Sequence, residues 1–497
     1  MVNAHSGNQF SGEIVVASRI VDFLSSGLYE SPAACLKELV NNSYDADART
    51  VKVFVQPDAD RIIIYDDGEG MSRADFEKNF RRIAETFKRD GSDRTDMGRP
   101  KIGKIGIGFI AANEICDVME IESTKRGSKE LLNVTIDFAK MRDDLGARRR
   151  GHGDIAKGDY YGAVEFSADK ASHYTTIFLR KVRGEAKQIL VGATSVSGHD
   201  GKKRSLYGLT HEGIAEALRS PAIISWSDFD PYSETMLRVA LNVPVRYHEN
   251  WAPPRLRERL NGFAEAAQDL DFTVFYDGSE LRKPVVFSGD AAFVERFEYH
   301  GSGVSAQGYF YVQHGTLRPQ ELNGVLIRIR HAAVGDYDSS FMGFPTSRGP
   351  LFQRWISAEI WASDELEEAM NIDRRTLRVS HPAYMQLQSA FHAKLANVLS
   401  RSRDKLYRVR NEERRDTLAA GNLEKLRSLV SRANVTVKEG VLASGLTSAT
   451  DIESRRGLLR KYTIAELFEI VVDIAENELP PAARERFLAA LAKRLTR

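Results

Sequence analysis

The chain has 497 residues and a formal net charge of +1. At ~150 residues per domain this leaves room for about three domains with sizeable cores, and the neutral balance excludes a global polycation, so any grip on nucleic acid has to be local. Two cysteines, Cys35 and Cys116, exclude a disulfide framework; no apolar run reaches the ~20 residues of a membrane helix, and the start MVNAHSGNQFSGE lacks the basic and apolar regions of a signal peptide. A soluble, cytoplasmic protein without a membrane partner is expected.

In chain order, the spacing of Ile14, Ala17, Ile20, Val21 and Leu24 predicts a helix over 13–25. A second helix is expected from Ser31-Pro32, with Ser at the cap and Pro just inside it, running through ELVNNSYDADA (38–48). VKVFVQP and RIIIYD then read as strands, the latter ending in DDGEGM. SRADFEKNFRRIAETFKRDG reads as a helix with Phe76, Phe80, Ile83 and Phe87 on one side; with the polar SDRTDMGRP it forms a candidate cover, Ser72 to Lys101. KIGKIGIGFIAANEIC is a glycine-rich turn running into an apolar helix, followed by strands at DVMEIEST, LLNVTIDF, AVEFSA and TTIFLRKV. THEGIAEALRS reads as a helix and LRVALNVPVRYH as a strand; ENWAPPRLR is the boundary candidate. FTVFYDG, KPVVF, GYFYVQH and GVLIRIRHAAV predict strands of a second α+β region. From Tyr384 the chain reads as helical with alternating charges, and its last segment as two amphipathic helices broken at Pro480-Pro481.

Three segments carry candidate chemistry. Glu38, Asn42 and Asp45 stand at i, i+4 and i+7, one face of a helix, which is either a solvated face or a catalytic wall. Asp66 leaves a buried strand before Gly68, Gly70 and Met71, so it is either the floor of a cleft or part of an Asp-Gly turn; as a floor it could accept a hydrogen bond from an exocyclic amine such as that of adenine. Gly103, Gly106 and Gly108 before Phe109 put backbone N–H groups where a phosphate could bind. Gly106, Gly108 and Ala111 also fit a dinucleotide GxGxxA fingerprint, but the preceding RTDMGRPKI is not the apolar strand that fold requires.

Together these segments resemble the motifs of the GHKL ATPase superfamily, the group of gyrase, heat-shock chaperone, histidine kinase and mismatch-repair ATPases. ELVNNSYDADA is similar to the first motif, DDGEGM to the second and GKIGIGF to the third, while Thr175, opening TTIFLR, resembles the threonine of the fourth. The resemblance implies bound ATP and Mg²⁺: Asn42 holding the cation, Asp66 reading adenine with support from Thr175, and Asp45 buttressing the wall. The backbone at Gly103, Gly106 and Gly108 would wrap the phosphates as the cover closes, with Asn79 a candidate ribose or phosphate contact. Glu38 fits the water-activating glutamate of the hydrolysing branches. GVLIRIRHAAVGDYD and AEIWASDELEEAMNIDRRTLR resemble the middle domain of the ninety-kilodalton heat-shock chaperone. Its Asn-x-Ser-Arg pattern reads Asn371-Ile372-Asp373-Arg374 here, which makes Arg374, or Arg375 beside it, the candidate γ-phosphate contact. Either arginine could instead pair with the acidic run Asp364 to Glu368.

The implied fold class is α+β: an N-terminal Bergerat-fold α/β sandwich over 1–250 with a lid at about 72–102, an S5-like α+β middle domain over 251–390, and a helical C-terminal region over 391–497. The implied function is an ATP-hydrolysing, Mg²⁺-dependent switch like heat shock protein 90, a homodimeric clamp acting on a protein client or effector. SRIVDFLSSGLYESPAACLKELVNNSYDADA is also similar to the MORC and mismatch-repair branches, so the alternative is an ATPase acting on DNA or recruiting an effector to it.

Overall fold

The computed structural model describes residues 8–16, 31–55, 61–80, 82–83, 94–103, 108–140, 156–166, 169–190, 203–249, 251, 270–289, 291–345, 353–371, 375–403 and 464–495. The chain divides into two compact units, Met1–Leu399 and Ser400–Arg497. The architecture is α+β with a helical C-terminal part.

The larger sheet of the first unit is built by β1 (Asn8–Val16), β2 (Thr50–Phe54), β3 (Arg61–Asp66), β4 (Arg82–Ile83), β5 (Cys116–Thr124), β6 (Glu130–Asp137), β7 (Ala156–Phe166), β8 (Tyr174–Val182), β9 (Thr273–Tyr276) and β10 (Ser279–Glu280), in the order β10-β9-β2-β3-β8-β5-β6-β7-β1-β4. Burial alternates along β2 and β3, so Val51, Val53, Ile62 and Ile64 turn to a covered face. The helix α1 (Pro32–Asp45) packs near this layer through Cys35, Leu36, Leu39 and Val40, all fully buried, and contacts the 3₁₀ turn Gly108–Glu114. It is followed by α2 (Arg73–Phe80), α3 (Gly184–Leu190), α4 (His211–Arg219) and α5 (Pro231–Asn242), the last also against α1. β9 pairs in parallel with β2, so this strand beyond residue 250 extends the first sheet.

Four expectations change. Glu13–Val16 belong to β1, because Ile14, Val15 and Val16 are β-branched and pair with β7; 17–25 lie outside the described residues. The helix of the cover ends at Phe80 and Ile83 pairs with Val16, while Phe87 lies outside the described residues. Leu237–Asn242 is helical, not a strand: Asp230 caps Ser233 N, Pro231 takes the first turn, and burial on every side erases the 3.6-residue pattern that would have revealed the helix. KPVVF makes only an isolated bridge, Lys283 to Tyr247.

The second sheet comprises β11 (Ala291–His300), β12 (Ser305–Gln313), β13 (Gly324–Ile329), β14 (Ala332–Ala333) and β15 (Ile356–Ala362), in the order β11-β12-β15-β13-β14. A helix over 382–399 in this unit covers it, with Phe391 stacked on Phe310 at 5.0 Å and Lys394 paired to Glu295 at 2.9 Å. The fully buried Arg328 ties the sheet to α5: its guanidinium meets Glu359 Oε1 at 2.7 Å and donates to the Leu241 carbonyl at 2.9 Å. The pair is also bonded by Tyr247 and Tyr309, whose hydroxyls donate to Glu359 Oε2, so its charges are fully engaged despite burial. In the second unit, Ile464–Glu478 and Pro481–Leu495 form two helices that break at Pro480. No helix among the described residues is long and apolar enough to cross a membrane.

Candidate nucleotide site

The covered face of β3 ends in Asp66, which is 4% exposed. Ser43, from α1, donates its hydroxyl to Asp66 Oδ2 at 2.9 Å, and Gly68 N donates to Oδ1 at 3.0 Å. Burial raises the Asp66 pKa to about 6 against these two hydrogen bonds. Opposite Asp66 in the β3–β8 ladder stands Thr175, whose Oγ1 is 3.0 Å from Ser123 Oγ. Ser123, fully buried, accepts from Met71 N and donates to the Tyr174 carbonyl, both at 2.9 Å. Asp66, Gly68, Met71 and Thr175 therefore share one wall. Two serines absent from the motif reading, Ser43 and Ser123, hold it together; a serine inside the apolar side of α1 was the one available sign of Ser43.

Gly68 and Gly70 have steric reasons. A Cβ on Gly68 would fall 2.7 Å from the Ala46 carbonyl, and Gly70, at φ +69°, would bring a Cβ within 1.9 Å of the Thr124 carbonyl. Gly70→Ala is expected to cost roughly 3 kcal/mol or more, read as a lowered urea midpoint at unchanged slope. An unshifted midpoint would refute that packing account.

The same C-terminal end of α1 that carries Ser43 also holds the glycine-rich turn. Asp45 accepts from Ile102 N at Oδ1 and from Gly103 N at Oδ2, both at 2.6 Å. Asp47 accepts from Met97 N at 3.0 Å, so the exit of the cover is pinned to the end of the helix. Asn42 is exposed, with its amide oxygen toward Gly103: a Cβ there would lie 3.8 Å from Asn42 Oδ1 and 2.9 Å from Asp45 Oδ2. Gly108 opens the 3₁₀ turn. Gly106 and Arg374 lie outside the described residues, as do the side chains of Asn79 and Phe109.

Glu38 is 6% exposed, with Lys37 Nζ 3.8 Å from its Oε1. Among the described residues, neither Glu38 Oε1 nor the buried Asn41 Oδ1 has a hydrogen-bond partner. Both line a cavity of about 10 Å³, the size of one water, whose far wall is Ile329, Ala332 and Met370 of the region around the second sheet. Glu38 and Asn42 thus leave α1 toward different surroundings: one into this cavity, the other toward the glycine turn.

Residues 29–148 match the family described as histidine kinase-, DNA gyrase B-, and HSP90-like ATPase. The chain is 36% identical over 115 residues to a putative type II restriction enzyme, HgiDII, of Herpetosiphon aurantiacus, covering 23% of this chain and 18% of that protein. It is 29% identical over 145 residues to the chaperone protein HtpG of Gluconobacter oxydans (25% and 23%), and 30% identical over 194 residues to the DNA mismatch repair protein MutL of Halobacterium salinarum (38% and 26%). The chain thus spans about a quarter or less of the length of these relatives. The family match takes in Asp45, Asp66 and Gly103, and over residues 29–148 the chain is thus identified by similarity with the ATPase domain of the GHKL superfamily.

Proposed function

We propose that the chain is a Mg²⁺-dependent ATPase, converting ATP and water to ADP and phosphate, and that it works as a conformational switch of the heat-shock-protein-90-like type. The observation that carries this reading is the pair of buried acceptors without a hydrogen bond among the described residues, Asn41 Oδ1 and Glu38 Oε1, the latter 3.8 Å from Lys37 Nζ, on a cavity the size of one water. A carboxylate so placed can orient an attacking water and take its proton. Asp66 supplies an acceptor for the adenine amine, with Thr175 beside it.

The residues fit Mg²⁺–ATP. Asn42, itself exposed, offers an amide oxygen beside Gly103. Asn42 would hold the cation, leaving the other positions to phosphate and water oxygens, as suits a hard ion that keeps its waters. When bound, the ion neutralises charge on the transferred phosphoryl group. Gly103, Gly106, Gly108 and Phe109 belong to the turn that would wrap the phosphates, Asn79 to the cover, and Arg374 or Arg375 to the γ-phosphate contact. The working division is 1–250, 251–390 and 391–497, the last serving a homodimer. Chelation with EDTA should stop ATP hydrolysis by the purified chain and added Mg²⁺ should restore it; turnover indifferent to chelation, or no ATP binding, overturns the reading.

The first reading of the client is a protein, held by a dimeric clamp. A second reading, an ATPase acting on DNA, is favoured by one observation: the match to the DNA mismatch repair protein MutL covers 38% of this chain, the match to HtpG 25%. DNA binding that falls by ~10³ or more between 50 and 200 mM salt supports the second. Suppression of client aggregation that is lost in Glu38→Ala supports the first.

A further inference from the structure

The turn between β13 and β14 has only two residues, Arg330 and His331, since Ile329 pairs with Ala332. Both lie in the left-handed region, at φ 51° and 68°, the conformation of a hairpin turn that ordinarily takes Asn-Gly. Such a backbone persists in larger residues when surrounding contacts over-determine it. Two buried basic side chains do so here. Lys283 Nζ donates to the His331 carbonyl at 3.2 Å and to the Val243 carbonyl at 2.8 Å. Arg330, its side chain 3% exposed, donates Nε and Nη2 to the two oxygens of Asp364 at 2.9 and 3.0 Å, has Nη1 3.2 Å from Glu367 Oε2, and donates Nη1 to the carbonyl of Lys101.

Lys101 immediately precedes Ile102 and Gly103, whose amides Asp45 holds. The same hairpin, through Ile329 and Ala332, walls the cavity onto which Glu38 and Asn41 face. One guanidinium thus joins three things: an acidic pair beyond β15, the root of the glycine-rich turn, and the wall over the glutamate. We propose that Arg330 is a positioning residue that latches the β13–β14 turn onto the root of the glycine-rich turn, so that the cavity around Glu38 is closed by the second sheet's hairpin and turnover requires this contact while nucleotide binding does not. This rests on the ATPase reading above. It gives the route between the two sheets a residue that touches the turn itself.

The test uses the whole chain with Arg330→Ala, Arg330→Lys, Asp364→Asn and Glu38→Ala. Arg330→Ala should lower kcat at least ~tenfold with the KM for ATP within about threefold, and Arg330→Lys, which keeps one donor for the Lys101 carbonyl, should recover part of the loss. Asp364→Asn, at an exposed carboxylate, is the milder variant and should lower kcat in the same direction. Independently of any turnover, amide exchange at Ile102 and Gly103 without nucleotide should speed up by about tenfold in Arg330→Ala. An unchanged kcat in both Arg330→Ala and Asp364→Asn, or unchanged exchange at those amides, overturns the latch; a raised KM at constant kcat overturns it in favour of direct nucleotide binding by Arg330. No hydrolysis above background by the unaltered chain would sink the ATPase reading instead, equal hydrolysis by it and Glu38→Ala would only move the base elsewhere, and in both cases the exchange result would still decide the latch.

Discussion

Glu38→Ala is expected to bind ATP with an affinity within about threefold of the unaltered chain and to hydrolyse it ~10²- to 10⁴-fold more slowly. The two effects separate because Glu38 lies off the Asp66 wall and meets the Asp45-held turn through Ile102, which lines the same cavity. The Glu38 carboxylate faces this water-sized cavity with one oxygen unbonded among the described residues. A buried acceptor without a hydrogen bond costs free energy that the Lys37 ammonium at 3.8 Å offsets in part, and a water awaiting deprotonation is a partner that the volume allows. Glu38→Gln keeps the volume and removes the basicity; it should fail like Glu38→Ala, which separates proton transfer from packing. Binding of a fluorescent ATP analogue and single-turnover hydrolysis check the pair. Normal single-turnover rates in either variant would move the base elsewhere.

How far the sequence announced this site depends on which forces set each part. Asp66, Gly68 and Gly70 sit in one short stretch where a turn demands residue types, as the φ of +69° at Gly70 does, so their spacing along the chain was informative. Asp45 and Gly103 were legible through the resemblance of their stretches to known motifs, since the bonds that join Asp45 to the turn span 57 and 58 positions. Ser43, Ser123 and Arg330 act through partners 23, 52 and 229 positions away, and no local pattern encodes such pairings. Tertiary burial also hid secondary structure. Leu237–Asn242 is covered all round and loses its periodicity, whereas Ile14–Val16 carries β-branched residues whose spacing suited either a helix or a strand until β7 supplied a partner. The parallel pairing of β9 with β2 is another long-range outcome: FTVFYDG was legible as a strand, but not as part of the first sheet.

Asp66→Asn is expected to weaken ATP binding by at least ~10-fold and, at the same time, to make the protein more stable above neutral pH. Burial raises the Asp66 pKa from the ordinary 3.8 to about 6. Between these values the folded chain holds a proton that the unfolded chain has released. Stability from this group is therefore complete below about pH 4, falls as pH rises through the window, and is gone above about pH 6. With ~1.4 kcal/mol for each tenfold change in acidity, keeping the carboxylate ionised at pH 8 costs about 3 kcal/mol, an order-of-magnitude figure for a group buried to 4% exposure. What the cost secures is a charged acceptor at the floor of the wall; a charge-assisted hydrogen bond is worth ~1.5 to 3 kcal/mol, so its loss alone weakens binding by ~10- to 150-fold. Asparagine fits the same place with its oxygen toward Gly68 N and its amide toward Ser43, and it would offer the adenine amine a poorer partner. Urea unfolding at pH 4, 6 and 8 should show a fall in stability for the parent that is reduced in Asp66→Asn, with the gap widening toward pH 8, while ATP should raise the midpoint of the parent more than that of the variant. An equal pH step in both proteins would place the titrating group elsewhere; a variant stabilised by ATP as much as the parent would remove Asp66 from adenine recognition.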